Sequence, residues 1–230
     1  MKTAVIIGST GLVGSALLEK LLKDSSYSQV ITIVRSNQPA DNQLYSHPKN
    51  RSLVFSFQNW GELELQISSF SGNSSCNFFC CLGTTIGKAG SEEAFKKVDF
   101  GYVVEFAKLA QKCRAEQLFV VSALGADKNS LNFYTKTKGE TEEAVQTAFS
   151  GKLHFLRPSL LLGDRKEFRL SERLAILASP LYSPLLKGPL EKFKPVKASD
   201  VASAMLNISL KKSNASTIVS NDEIIRIAHS

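Results

Sequence analysis

The stretch Ala4-Val5-Ile6-Ile7-Gly8-Ser9-Thr10-Gly11-Leu12-Val13-Gly14 constrains the fold of this chain more than any other. Four consecutive apolar residues suit a strand buried on both faces, as a parallel sheet requires, and Leu12, Val13, Ala16, Leu17, Leu21 and Leu22 then recur at helical spacing. The run therefore predicts strand, glycine turn and helix. Gly8 permits the tight turn, Gly11 leaves room for backbone to approach a pyrophosphate, and Gly14 lets the helix pack close to the strand. An anion would sit on the helix N-terminus, where free N–H groups and the positive end of the dipole both favour it. Gly8, Ser9, Thr10, Gly11, Leu12, Val13 and Gly14 are accordingly the first candidate cofactor-binding residues. Their spacing is GxxGxxG rather than the GxGxxG of the dinucleotide fingerprint.

The same alternation continues down the chain. Apolar runs predict strands at 30–34, 52–57, 77–82, 118–121 and 153–156, and helical spacing predicts helices at 60–67 and 92–113 and one from Ser130 or Asn132 to about 149. Strands alternating with helices imply right-handed crossovers, and hence an α/β fold: a Rossmann-type doubly wound parallel sheet in the order 3-2-1-4-5-6. One domain spanning 1–230 suits the length. Residues 159–215 read as a small C-terminal substrate-side cap, with helices at 170–178 and 200–210 and chain breaks at Pro180, Pro184, Pro189 and Pro195. Residues 217–219 read as a last strand.

Composition excludes several classes. The net charge is +7, but lysines and arginines are spread along the chain without a basic block interleaved with aromatics. This argues against nucleic acid and for a surface that attracts a multiply charged anion. Cys76, Cys80, Cys81 and Cys113, with His47, His154 and His229, show no metal-ligand spacing, so reduced core thiols and no metal are expected. Glycine interrupts the apolar start after Ile7, and no apolar run approaches the ~18 residues of a membrane span. The expectation is a soluble cytoplasmic protein, monomer or homodimer, without export signal or transmembrane segment.

Candidate chemistry gathers at the carboxyl ends of the strands, where open α/β folds bind ligands. Arg35 and Ser36 follow the second strand with no carboxylate before Asp41, and an arginine there accommodates a 2′-phosphate, so NADP(H) is expected over NAD(H). Leu82, Gly83, Thr84 and Thr85 close the fourth strand and supply another close backbone approach to a cofactor. Tyr134 and Lys138, four apart on one helical face, join Ser122 at the end of the fifth strand. A phenol with pKa ~10 becomes a useful acid-base group when a nearby ammonium favours its ionised form. On this reading Lys138 supplies that charge and binds the nicotinamide ribose. Ser122 donates a hydrogen bond to the substrate oxygen, and Tyr134 transfers its proton as hydride arrives.

Gly8 to Gly14, Tyr134 to Lys138 and Arg157-Pro158-Ser159 resemble the short-chain dehydrogenase/reductase superfamily in its atypical, extended-like branch. Cys80-Cys81-Leu82-Gly83-Thr84-Thr85, Gly87-Lys88-Ala89-Gly90, Val98-Asp99 and Gly125-Ala126-Asp127-Lys128 are more closely similar to the Tat-interacting-protein oxidoreductase group. The resemblance implies an NADPH-binding Rossmann fold with Ser122, Tyr134 and Lys138 at the catalytic positions and Arg157 and Pro158 at the cofactor. Asp99 stands where many members carry an asparagine of the proton relay. The leading expectation is an NADPH-dependent oxidoreductase acting on a small carbonyl compound. The alternative is an NADPH-binding regulatory or protein-interaction module with little turnover, whose partner would contact the apolar stretch 174–190.

Overall fold

The computed structural model describes residues 1–38, 41–71, 75–163, 193–210 and 217–230. A parallel sheet of seven strands forms its centre, in the order β3-β2-β1-β4-β5-β6-β9. These are β1 (Lys2–Ile7), β2 (Tyr27–Val34), β3 (Asn50–Val54), β4 (Ser75–Cys80), β5 (Gln117–Val121), β6 (Lys152–Leu156) and β9 (Ile218–Val219), while β7 (Leu161–Leu162) and β8 (Val196–Lys197) form a separate parallel pair. The expected six-strand order stands, with β9 added beside β6.

Alternate residues of the central strands feed two cores. On one face Val5, Ile7, Ile33, Phe78, Cys80, Leu118 and Val120 pack against α2 (Trp60–Ser71), α5 (Val103–Lys112) and α6 (Phe133–Ala148), through side chains such as Leu63, Ile67, Phe106 and Val145. On the other, Ala4, Ile6, Val30, Phe79, Phe119 and Leu156 meet α1 (Leu12–Lys23), α7 (Ala198–Leu210) and α8 (Asn221–Ala228), through Leu17, Leu21, Val201, Met205 and Ile224. Each large apolar side chain fully buried this way stabilises the fold by roughly 1.5–3 kcal/mol. Burial on both faces is why the strands read as continuous apolar runs.

Several boundaries differ from those the sequence predicts. The third strand ends at Val54, not at 57. Phe57 has a left-handed φ of 63° that leaves the ladder, and Phe55 and Phe57 instead stack edge-on with Trp60 at 4.9 and 6.0 Å. The fourth strand ends at Cys80, and Cys81 and Leu82 begin the turn over the sheet edge. The helix expected at 92–113 is three pieces: α4 (Glu92–Lys96), a π-helical turn (Lys97–Tyr102) and α5. A short α3 (Ile86–Ala89) precedes it, and α8 was not expected. The helix predicted at 170–178 and the apolar stretch 174–190 lie outside the described residues. Among the described residues no helix is long and apolar enough to cross a membrane.

Candidate active site

A cavity of about 670 Å³ opens over the carboxyl edge of the sheet, bounded by the start of α1, the segment after β4, the ends of β5 and β6, and the first turns of α6. Thr10, Gly11, Leu12 and Val13 line one side of it, Leu82 to Thr85 another, and Ser122, Tyr134 and Lys138 the third.

The glycine turn is built for close approach. Gly8 adopts φ +80°, and a Cβ there would lie 2.5 Å from the Cys81 carbonyl oxygen; one on Gly14 would lie 2.1 Å from the Gly8 carbonyl oxygen. Among the described residues, a Cβ at Gly11 meets only the Gly8 oxygen, at 3.4 Å, so a side chain there would project into the cavity that Gly11 lines. Among the described residues, no side chain caps helix α1, and its first turn holds no acidic residue. Its first N–H groups are left to an outside acceptor, and the dipole favours an anionic one. Gly8, Ser9 and Gly14 shape this turn from behind the wall, the Ser9 hydroxyl lying 2.9 Å from that of Tyr45.

Other expected residues fall in different places. Arg35 and Ser36 are exposed just beyond β2, at the same sheet edge as the turn but outside the cavity wall. Thr84 lines the cavity and donates its N–H to Asp99 Oδ2 at 2.8 Å, and Thr85 caps α3. Arg157 and Pro158 do not line the cavity. Arg157 turns back to grip Glu142, Nε to Oε1 at 3.0 Å and Nη2 to Oε2 at 2.5 Å, and the Pro158 carbonyl accepts from the Leu124 N–H.

Helix α6 presents the tyrosine–lysine pair to the cavity. Asn132 caps it by accepting from the N–H groups of Tyr134 and Thr135, which fixes the first turn. The Tyr134 ring is half-buried against Phe95, with centroids 5.7 Å apart. Gly139 lets the backbone of Asp127 and Lys128 press on the helix, where a Cβ would sit 2.1 Å from the Lys128 nitrogen. Lys138 is buried and pairs with the fully buried Asp99 at 2.7 Å. Burial alone would push the Lys138 ammonium down, but the Asp99 charge beside it, joined by Tyr134, outweighs this and holds its pKa above the ordinary lysine value. The lysine stays protonated at neutral pH. Asp99 thus links the turn after β4 to α6.

The Ser122 hydroxyl donates to Glu142 Oε1 at 2.5 Å. Sequence reasoning missed Glu142, although Tyr134, Lys138 and Glu142 stand at successive four-residue steps and share one face of α6. Burial pushes the Cys80 thiol up to about 12 and raises Cys81 well above its ordinary value, so neither is a ready nucleophile.

The parallel sheet, the glycine turn and the tyrosine–lysine pair at its carboxyl edge define an atypical short-chain dehydrogenase/reductase protein of Rossmann type. No family model matches the chain. It is 32% identical over 233 residues to "Protein FMP52, mitochondrial" of Candida albicans, spanning 98% of this chain and 97% of that one. It is 31% identical over 229 residues to the Aspergillus niger protein of the same name, spanning 97% and 94%. Protein HTATIP2 of Rattus norvegicus is 34% identical over 174 residues, 76% of this chain and 69% of its own length. The chain belongs to the family of FMP52 and HTATIP2. Among solved structures, the UDP-Glc/GlcNAc 4-epimerase of Campylobacter jejuni matches with a TM-score of 0.70 at 13% identity, covering 98% of this chain and 82% of its own. The human epimerase family protein SDR39U1 with NADPH matches at 0.58 and 18%, covering 96% and 77%. At these identities the likeness shows the fold.

The cytoplasmic expectation is corrected, because the FMP52 relatives are named mitochondrial. It rested on the lack of an export signal and a membrane span, and organelle addresses are read by receptors from other features that those two tests do not probe.

Proposed function

We propose that the chain is an NADPH-dependent oxidoreductase that reduces a small carbonyl compound. The observation that carries this reading is the opening of the uncapped start of α1 and the Tyr134–Lys138 pair into one cavity. The glycine cradle fits a dinucleotide: Gly11, Leu12 and Val13 would hold the pyrophosphate, Leu82 to Thr85 would flank the nicotinamide half, and Lys138 would hold its ribose. When bound, the cofactor supplies hydride. Tyr134 supplies the proton to the reacting oxygen, and Lys138 keeps a positive charge beside that phenol. The human neighbour described with NADPH supports this choice of cofactor class. The test is NADPH oxidation across a panel of aldehydes, ketones and quinones, beside calorimetric titration of NADPH and NADH. Cofactor binding without turnover of any panel member would replace this reading with that of a regulatory module.

Arg35 carries the cofactor preference on this reading. A charge-assisted hydrogen bond to the 2′-phosphate contributes ~1.5–3 kcal/mol, so NADPH should bind about tenfold or more tightly than NADH. Arg35→Ala should erase that difference in calorimetry. Equal affinities in the wild type would remove Arg35 from the site.

Gly11→Val places a branched side chain where the pyrophosphate would lie. NADPH affinity should fall at least about tenfold, while the circular dichroism spectrum stays that of the wild type, because a Cβ there meets almost nothing else. Retained affinity would show that the turn does not face the phosphates.

A further inference from the structure

Ser122 lines the cavity with Tyr134 and Lys138, yet its proton is already committed. The 2.5 Å contact runs to Glu142 Oε1, and Glu142 is held from behind by the two hydrogen bonds of Arg157. Both Glu142 oxygens receive N–H protons from Arg157, and Oε1 accepts from Ser122 as well, so the proton between the two groups is the serine's. A hydroxyl has one proton and two lone pairs. With the proton pointing back, what remains for the cavity is acceptor capacity. Glu142 is only 5% exposed and Ser122 6%, so water does not compete freely for this bond.

Resting on the oxidoreductase reading above, we propose that Ser122 is a specificity-determining acceptor, fixed in that sense by Glu142 and Arg157 as positioning residues, which selects carbonyl compounds carrying a hydroxyl beside the carbonyl. Tyr134 is then the proton donor to the carbonyl oxygen, and the neighbouring hydroxyl donates to Ser122 Oγ. A plain ketone leaves that acceptor unpaired and is rejected, because a site built to receive a hydrogen bond loses it with the analogue that lacks the donor. The expectation that Ser122 donates to the reacting oxygen is replaced by this assignment.

The probes are 3-hydroxy-2-butanone and 2-butanone. Their binding to the full chain is read by saturation-transfer NMR, with and without NADPH, and their turnover by NADPH oxidation. The hydroxyketone should bind at least about tenfold more tightly than the ketone in the wild type. Ser122→Ala should bring the ratio near one. Glu142→Leu, which removes the acceptor and frees the serine proton, should lower the ratio without changing NADPH affinity, and a merely structural role for Glu142 would weaken both ligands together. Ser122→Ala leaves the Glu142–Arg157 pair intact, so it decides the matter if Glu142→Leu fails to fold. No preference in the wild type, or a preference that survives Ser122→Ala, overturns the assignment. A serine-dependent preference in binding, with no NADPH oxidation by these probes or by any member of the wider panel, would uphold the acceptor and refute the oxidoreductase reading. Oxidation of NADPH by both probes at equal efficiency would do the reverse.

Discussion

Tyr134→Phe is expected to lower turnover by ~10²–10⁴-fold and to leave cofactor affinity nearly unchanged. The substitution removes one hydroxyl and keeps the ring, so the packing against Phe95 and the Asn132 cap are untouched. On the proposed function, what disappears is the proton for the reacting oxygen, at a residue on the same cavity wall as Lys138. Lys138→Met should weaken turnover and cofactor affinity together, since the ammonium both charges the site and would hold the ribose. Steady-state kinetics beside a cofactor titration separates the two. A Tyr134→Phe protein as active as the wild type would mean that the acid has been wrongly assigned.

Asp99→Ala is expected to destabilise the fold by ~3–5 kcal/mol, because it leaves the buried Lys138 ammonium without its partner. Truncation also takes the acceptor from the Thr84 N–H, loosening the turn after β4. Urea unfolding followed by circular dichroism measures the loss, and a change under about 1 kcal/mol would show that the pair matters little to stability. Asp99→Asn keeps an acceptor for Thr84 but not the charge, and should fall between the two. The pH dependence has a definite sign. The folded-state pKa of Lys138 is raised, so the lysine's contribution is fully present below its unfolded value, ~10.4, and is lost as pH climbs through the higher folded value. Over the neutral range the pair contributes no slope from this side.

The elements legible in the sequence were those whose signal is local. Val5, Ile6 and Ile7 run apolar into Gly8, the period then changes to that of α1, and the turn sits where this pattern puts it. Tyr134 and Lys138 were legible because four residues on a helix is one face, and both line the cavity. Contacts that depend on chain reversal were not legible. Nothing in the letters around Asp99 says that a carboxylate there meets an ammonium at 138, and nothing at Arg157 says that it folds back on Glu142 rather than toward a ligand. The third and fourth strands were placed two to three residues late because Phe55, Phe57, Cys81 and Leu82 are apolar for reasons other than a ladder: they pack on rings or line the cavity rim. The two-residue strands β7 and β8 are too short to show any period.

The π-helical turn Lys97–Tyr102 makes the Asp99–Lys138 pair depend on a count of residues as well as on their identity. A π turn holds more backbone per revolution than the α-helix on either side, and it absorbs one extra residue between α4 and α5. Losing one residue from this segment would rotate one flank by ~100° about the helix axis. Either Phe95 would leave the Tyr134 ring, or Val103 and Phe106 would leave the sheet. In the drift of this lineage, then, the segment apart from Asp99 should accept a changed codon far more readily than a missing one, and a length polymorphism between 97 and 102 would mark a chain that has abandoned this site.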